Sequence, residues 1–531
     1  MAGESTRGQS LGFATQQVHA GAVTDDGVNP RATPIYLSAG FVFDDFAQAR
    51  DRFGGADDGF SYTRVGNPTT AAVERRIAAL EGGSHAILVG SGQAALSVAL
   101  LALLQAGDHL ASANSIYEGS RGLFLDNFSR LGIDTSFVVD ANDAAAWEAA
   151  IRPSTRALFV ESIPNPKNDL VDLQLVAAVA HRHGIPLIVD NTFATPYLLR
   201  PLEHGADIVV HSASKFLAGH GAVLGGVIVS GSGFDWSASA ALFPHLTQPV
   251  HGLGGRSFVS RYGADAFIAY ARDVVALRSG PTPSPINAFL IQQGIETLSL
   301  RVDRQSGSAQ AVAAWLEEQP EVEAVDYSGL PSSPFFALAD RYLPRGRGSV
   351  FSFTVAGGLP AAAAFIDAVQ LFTRMTHLGD TRSLIIHPAT TSHAFRTEEQ
   401  LQESGIGPGL IRLSIGVEDV TDLLADLERG LAAVRALAAA APASAGAPSA
   451  LVPAAAPSAP GPAAAPTPAT LNDGESARHA VHFSVETARP AESPSFRREP
   501  GEVGADALVA AGTERAGADA AVGAGAAGEA A

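Results

Sequence analysis

Lys167 and Lys215 are the only lysines among the 35 lysine and arginine side chains of this chain. Arginine stays protonated, whereas lysine can lose its proton and attack a carbonyl carbon. A general bias toward arginine accounts for the scarcity but not for the surroundings of Lys215. That residue closes Asp207-Ile-Val-Val-His-Ser-Ala-Ser-Lys215, an apolar strand running into a small polar turn. A lysine that forms a Schiff base would stand in such a place. Two more strand-like runs end in polar residues. Ala157–Val160 leads to Glu161-Ser-Ile-Pro-Asn165-Pro166, and Pro186–Val189 leads to Asp190-Asn191-Thr192-Phe193. A lone acidic residue after a strand is usually a helix cap. Three consecutive polar strand ends, one carrying a lysine, are better explained by one shared site. A fourth strand end, Gly90-Ser91-Gly92-Gln93, opens a helix whose backbone N–H groups could approach an anion. By itself that turn is a weak signal. No Gly-Lys-Ser/Thr follows it, and the full G-x-G-x-x-G pattern is missing.

An anion cradle, a carboxylate and a lone lysine are together what pyridoxal phosphate requires. The amine binds the cofactor aldehyde. A carboxylate against the pyridine nitrogen keeps the ring protonated and electron-withdrawing. Backbone amides and serine hydroxyls suit the phosphate.

The elements that must position these residues follow from the apolar pattern. Between Ala86 and Ser230, short apolar runs alternate with helix-like runs such as Gln93–Gln105 and Leu173–His183. The runs begin at Ala86, His109, Thr135, Ala157, Pro186, Asp207 and Val223. This predicts an α/β fold with a mostly parallel seven-stranded sheet covered on both faces, its ligand lying beyond the carboxyl ends of the strands. From about Pro285 to Arg435 a long helix (Val302–Glu318), a strand (Val350–Val355), a strand into Arg412 and a final amphipathic helix (Val420–Arg435) predict a smaller α/β domain. The expected organisation is an N-terminal arm over 1–70 that contacts a neighbouring subunit, a large domain over 71–284, a smaller one over 285–436 and a disordered Ala/Pro/Gly-rich tail over 437–531.

Composition removes other classes. A net charge of −19 argues against nucleic acid or an anionic membrane as partner. The absence of cysteine excludes disulfides, thiolate metal sites and a cysteine nucleophile. No apolar run is long enough to span a bilayer, and Met1–Arg7 lacks a signal-like segment, so a cytoplasmic location is expected. Ser212-x-x-Lys215 also satisfies the S-x-x-K pattern of serine acyl-transfer enzymes, but no Lys-Thr-Gly accompanies it. His181/His183 and His479/His482 lack supporting carboxylates at metal-ligand spacing and read as surface histidines.

The ordered motifs resemble the Cys/Met metabolism family of pyridoxal-phosphate enzymes, of fold type I, over about 10–435. They are Tyr62-Thr-Arg64-Val-Gly-Asn-Pro68, Ser91-Gly92-Gln93, Glu161–Pro166, Asp190–Phe193, Ser212-Ala-Ser214-Lys215 and Arg412-Leu-Ser-Ile-Gly-Val-Glu418. Within that family His251-Gly-Leu, Gly280–Leu290 with Gly294–Arg301, and Gly379-Asp-Thr-Arg-Ser383-Leu-Ile-Ile-His387 resemble the branch acting on O-acetylhomoserine. The resemblance implies γ-replacement, in which O-acetylhomoserine and sulfide or a thiol give homocysteine or methionine and acetate. Cystathionine γ-synthase, methionine γ-lyase and O-succinylhomoserine sulfhydrylase chemistry on the same fold are the alternatives. It implies the following roles. Lys215 is the Schiff-base lysine and proton shuttle, Asp190 pairs with the ring nitrogen, Tyr117 stacks on the ring, and Thr192 flanks it. Ser91, Gly92, Gln93, Ser212 and Ser214 hold the phosphate, with Tyr62 and Arg64 from a partner chain. Asn165 and Arg412 receive the substrate carboxylate, and Ser383 positions Lys215 or the substrate amine through its backbone. A homotetramer of dimers with shared active sites is also implied. Two departures stand out. Glu118 follows Tyr117 where the family has glycine, and Thr376-His377 replaces a small-Asn pattern before Gly379. The Glu118 carboxylate either faces the side-chain pocket or, as expected here, points to solvent.

Overall fold

A computed structural model describes residues 11–22 and 28–440. The large sheet has seven strands: β1 (His85–Val89), β2 (His109–Ala113), β3 (Asp134–Val138), β4 (Thr155–Glu161), β5 (Leu187–Asp190), β6 (Ile208–Ser212) and β7 (Gly226–Ser230). Their spatial order is β1-β7-β6-β5-β4-β2-β3, and β7 alone runs against the rest. The apolar residues of β4, β5 and β6 are buried almost completely, as strands covered on both faces must be. All seven expected strands form. The last begins at Gly226, and Val223 and Leu224 lie in the preceding turn.

Register places the site. Glu161 pairs with Asp190 across β4 and β5, and Ser212 pairs with Gly226 across β6 and β7. The polar ends of three neighbouring strands therefore share one edge of the sheet.

A second sheet has five strands: β8 (Val322–Asp326), β9 (Val350–Val355), β10 (Thr373–Arg374), β11 (Leu384–Ile386) and β12 (Leu410–Ser414), in the order β10-β11-β12-β9-β8. A separate core lies beneath it, built on Phe351, Phe353, Phe365, Ile411, Leu413 and Leu427. The helix Leu298–Glu317 joins the two cores. Its Leu298 and Val302 belong to the large core, and its Ala309, Val312 and Leu316 to the small one. The preceding helix Pro285–Ile295 buries Ala288, Ile291 and Ile295 in the large core, so the change of core falls after residue 285.

The last helix runs from Val420 to Ala440, past the expected end at Arg435, because its final residues are mostly alanines with the highest helix propensity. Residues 441–531 of the expected tail lie outside the described residues. The N-terminal stretch divides in two. The helix Phe13–His19 docks on its own chain, where Phe13 is buried and Gln17 hydrogen-bonds Ser299 at 3.0 Å. Beyond it Leu37, Val42, Phe46 and Phe53 are exposed, and the helix Phe46–Gly54 buries none of its residues. No helix among the described residues is long and apolar enough to cross a membrane.

Candidate active site

The carboxyl ends of β5 and β6 are tied together by Thr192. Its backbone N–H and hydroxyl both donate to Asp190 Oδ1, at 2.9 and 2.5 Å, and its oxygen accepts the Ser212 N–H at 2.8 Å. Asp190 is thereby fixed in direction. Burial raises its pKa, against the pull of these hydrogen bonds. Glu161, its neighbour on β4, is raised well above the carboxylate range, first by burial and then by the Asp190 charge. Its Oε1 accepts the Tyr117 backbone N–H at 2.6 Å, so the end of β4 holds the start of the helix Glu118–Gly122. The Tyr117 side chain is half exposed, leaving its ring open to a ligand.

The anion turn packs onto the same edge. Ser91 caps the helix Gly92–Leu101, accepting the Ala94 N–H at 3.1 Å, and Gly92 and Gln93 form its first turn. A side chain on Gly92 would lie 2.7 Å from Ser212 Cβ, and one on Gly226 would strike the Ser91 backbone. Glycine at both positions lets the helix N-terminus close on β6 and β7, and it leaves backbone N–H groups facing outward for an anion.

Lys215 follows in the turn after β6. Its Nζ stands 3.1 Å from His377 Nδ1. Burial, and then the nearby Arg412 charge, lower its pKa from 10.5 to about 8. The same burial, with Lys215 and Arg412 adding to it against Asp380, brings His377 down to about 4, so its imidazole is neutral. Nδ1 therefore accepts from the lysine, and Nε2–H is buried with no partner among the described residues.

Arg412, on β12, is buried. It donates to Asn165 Oδ1 at 3.2 Å and to the Thr376 and His377 carbonyls at 3.2 and 3.1 Å. No carboxylate pairs with it among the described residues, its Nε is orphaned, and burial pulls its pKa down to about 10. A buried guanidinium held only by neutral acceptors is prepared for an anionic ligand.

Several of the residues singled out have their polar groups engaged within the chain. Ser214 does not offer a free hydroxyl, because its Oγ donates to Gly225 O at 3.3 Å and accepts Gly225 N–H at 3.1 Å. Ser383 is fully buried. Its N–H and Oγ bind Glu418 at 2.6 and 2.9 Å, Oγ also accepts from Gly416, and its carbonyl accepts the Thr373 N–H. It staples the loop before β11 to the one after β12. Glu118 does not reach into free solvent. Its Oε2 accepts from Arg396 Nε at 2.9 Å and Nη2 at 2.5 Å. Tyr62 and Arg64 make their contacts elsewhere, Arg64 Nη1 donating to Leu277 O at 2.6 Å with its guanidinium over the Tyr62 ring.

Glu161, His377 and Arg396 had no assigned role in the sequence. Glu161 sits inside a motif that was read for Asn165. His377 showed only as a departure from pattern, and Arg396 gave no signal.

A mostly parallel sheet whose strand ends gather a lysine, a carboxylate and an anion cradle, with an unmatched arginine brought in from the smaller sheet, defines a pyridoxal-phosphate enzyme of fold type I. Comparison with known proteins agrees. The Cys/Met metabolism PLP-dependent enzyme family matches residues 14–432, and the chain belongs to it. Pyridoxal phosphate is its cofactor. The chain is 43% identical over 434 residues to the O-acetyl-L-homoserine sulfhydrylase of Corynebacterium glutamicum, covering 81% of this chain and 99% of that one. It is 41% identical over 426 residues to the homocysteine synthase of Schizosaccharomyces pombe, covering 80% and 99%. Among solved structures, a Campylobacter jejuni protein described as a putative O-acetylhomoserine (thiol)-lyase with N'-pyridoxyl-lysine-5'-monophosphate superposes with a TM-score of 0.76. It is 34% identical, with 80% of this chain and all of that one covered. Cystathionine γ-lyase from Lactobacillus plantarum, at a TM-score of 0.68 and 34% identity, shares the fold over 80% of this chain and 100% of its own.

Proposed function

We propose that the protein joins O-acetyl-L-homoserine to sulfide or a thiol, forming homocysteine or methionine and releasing acetate. The observation that carries the reading is the approach of an amine with a lowered pKa, at the end of the large sheet, and an unmatched buried arginine from the smaller sheet, in a chain whose relatives bear the sulfhydrylase and homocysteine synthase names.

Pyridoxal phosphate, when bound, supplies an aldehyde for the amine and a ring that withdraws electrons from the substrate Cα. Lys215 holds the cofactor and then moves the Cα proton. Its lowered pKa makes the neutral amine far more available near neutrality than in an ordinary lysine, as a base requires. Asp190, aimed by Thr192, holds the proton on the ring nitrogen. Tyr117 covers the ring face, its backbone anchored by Glu161. Ser91, Gly92, Gln93 and Ser212 receive the phosphate, and Ser214 supports that turn from behind. Arg412 and Asn165 orient the substrate through its carboxylate. Tyr62 and Arg64 complete a neighbour's phosphate site in a homotetramer. The exposed Leu37, Val42, Phe46 and Phe53 support a subunit contact of the arm. The location is the cytoplasm.

Purified enzyme supplied with O-acetylhomoserine and sulfide is expected to form homocysteine faster than with O-succinylhomoserine, and to release little thiol from methionine alone. Faster turnover of either alternative would overturn the reading.

A further inference from the structure

The carboxylate end of the site opens into a pocket of about 210 Å³ whose wall includes Asn165, Lys167, Asp169, His393 and Arg396. Each cation on that wall is already matched. Lys167 Nζ lies 2.9 Å from Asp326. The Arg396 side chain, 8% exposed, gives Nε and Nη2 to Glu118 Oε2, and its Nη1 goes to the Ser404 hydroxyl. His393 Nε2 is 4.0 Å from the same carboxylate oxygen, and burial holds that imidazole at about 4, hence neutral. Asp169 and Glu403 add carboxylates to the lining. Arg412 differs, being bound only to Asn165 and two backbone carbonyls. The cavity wall thus carries Asn165, the partner of the unmatched Arg412, and Arg396, which Glu118 has already closed.

A ligand with one carboxylate satisfies Arg412. A second carboxylate entering the pocket would meet no unmatched cation on its wall, would find Arg396 neutralised by Glu118, and would face Asp169 and Glu403. Desolvating a charge without a partner is costly, and like charges reject the wrong ligand. We propose that Glu118 sets the substrate class by occupying Arg396, so that the pocket beyond Asn165 takes an uncharged acyl group or thiol and turns away a side chain ending in a carboxylate. The proposal rests on the assignment of Arg412 and Asn165 to the substrate α-carboxylate.

The test is binding to the cofactor-loaded enzyme, read as the visible absorbance change on titration with L-norleucine and with L-α-aminopimelate, which differs from it by a terminal carboxylate. Wild type is expected to bind norleucine tighter by about tenfold or more. Glu118→Gln leaves Arg396 buried and unmatched, and it is expected to move the ratio toward aminopimelate by at least about tenfold. Adding Arg396→Gln to that variant should restore the preference for norleucine. Equal binding of the two ligands by wild type, or an unmoved ratio in a Glu118→Gln enzyme of normal colour, would overturn the proposal. No response of wild type to either amino acid would instead overturn the underlying reading of the site.

Discussion

Lys215 Nζ faces His377 Nδ1 at 3.1 Å, so among the described residues the hydrogen-bond partner of this amine is a neutral imidazole and not a carboxylate. Burial can then lower the lysine pKa unopposed, to about 8. A neutral amine is needed to capture an aldehyde. The rate at which apoenzyme recaptures pyridoxal phosphate should therefore rise with pH through a midpoint near 8, not near the ordinary 10.5. His377→Asp places an opposite charge beside the amine, which favours the ammonium, and should move the midpoint up by about one unit or more. Stopped-flow absorbance over a pH series checks both. A midpoint indifferent to His377→Asp would show that the contact does not govern the amine.

Arg412 is the anchor for the substrate carboxylate. Arg412→Ala should raise KM for O-acetylhomoserine by about tenfold to a hundredfold, the range for losing charged hydrogen bonds in a desolvated site. Steady-state kinetics with an unchanged KM would move the carboxylate elsewhere.

The cradle depends on Gly92 lying against Ser212. Gly92→Ala brings a methyl 2.7 Å from Ser212 Cβ and forces the helix N-terminus off β6. Cofactor affinity should fall by at least about tenfold, read as the dissociation constant of apoenzyme titrated with pyridoxal phosphate. An unchanged constant would place the phosphate away from this turn.

The small core can be tested through Gly430, whose added methyl would meet the Phe365 ring at 2.7 Å. Alanine gains about 1 kcal/mol over glycine in a helix interior, but overpacking costs about 1–3 kcal/mol. Gly430→Ala should therefore lower stability in urea denaturation of the loaded enzyme. A gain would mean that the final helix is free to shift.

Much of the fold was legible because buried strands declare themselves as short apolar runs. The seven runs from Ala86 to Val229 correspond to β1–β7, and the polar residues after β4, β5 and β6 meet in space because register aligns those strand ends. The small sheet was read only in part. β8 is a mixed Val-Glu-Ala-Val-Asp run with no fully buried residue, and β10 is two residues long, so neither carries a periodic signal. Within the site, Lys215, Asp190 and Thr192 could be read from adjacent positions along the chain. The Glu118–Arg396 pair could not, because its members are 278 residues apart and an arginine in an irregular loop looks like any surface cation. The bonds that hold Ser383 to Glu418 and Gly416 were likewise not legible from its motif, because they join loops brought together only by the fold.

The most direct measurement uses the fact that the chain has only two lysines. Cofactor-loaded enzyme is reduced with borohydride and digested, and the pyridoxyl-bearing peptide is sequenced by mass spectrometry. The adduct should lie on the peptide containing Lys215. An adduct confined to Lys167, or none at all, would contradict the assignment of the site.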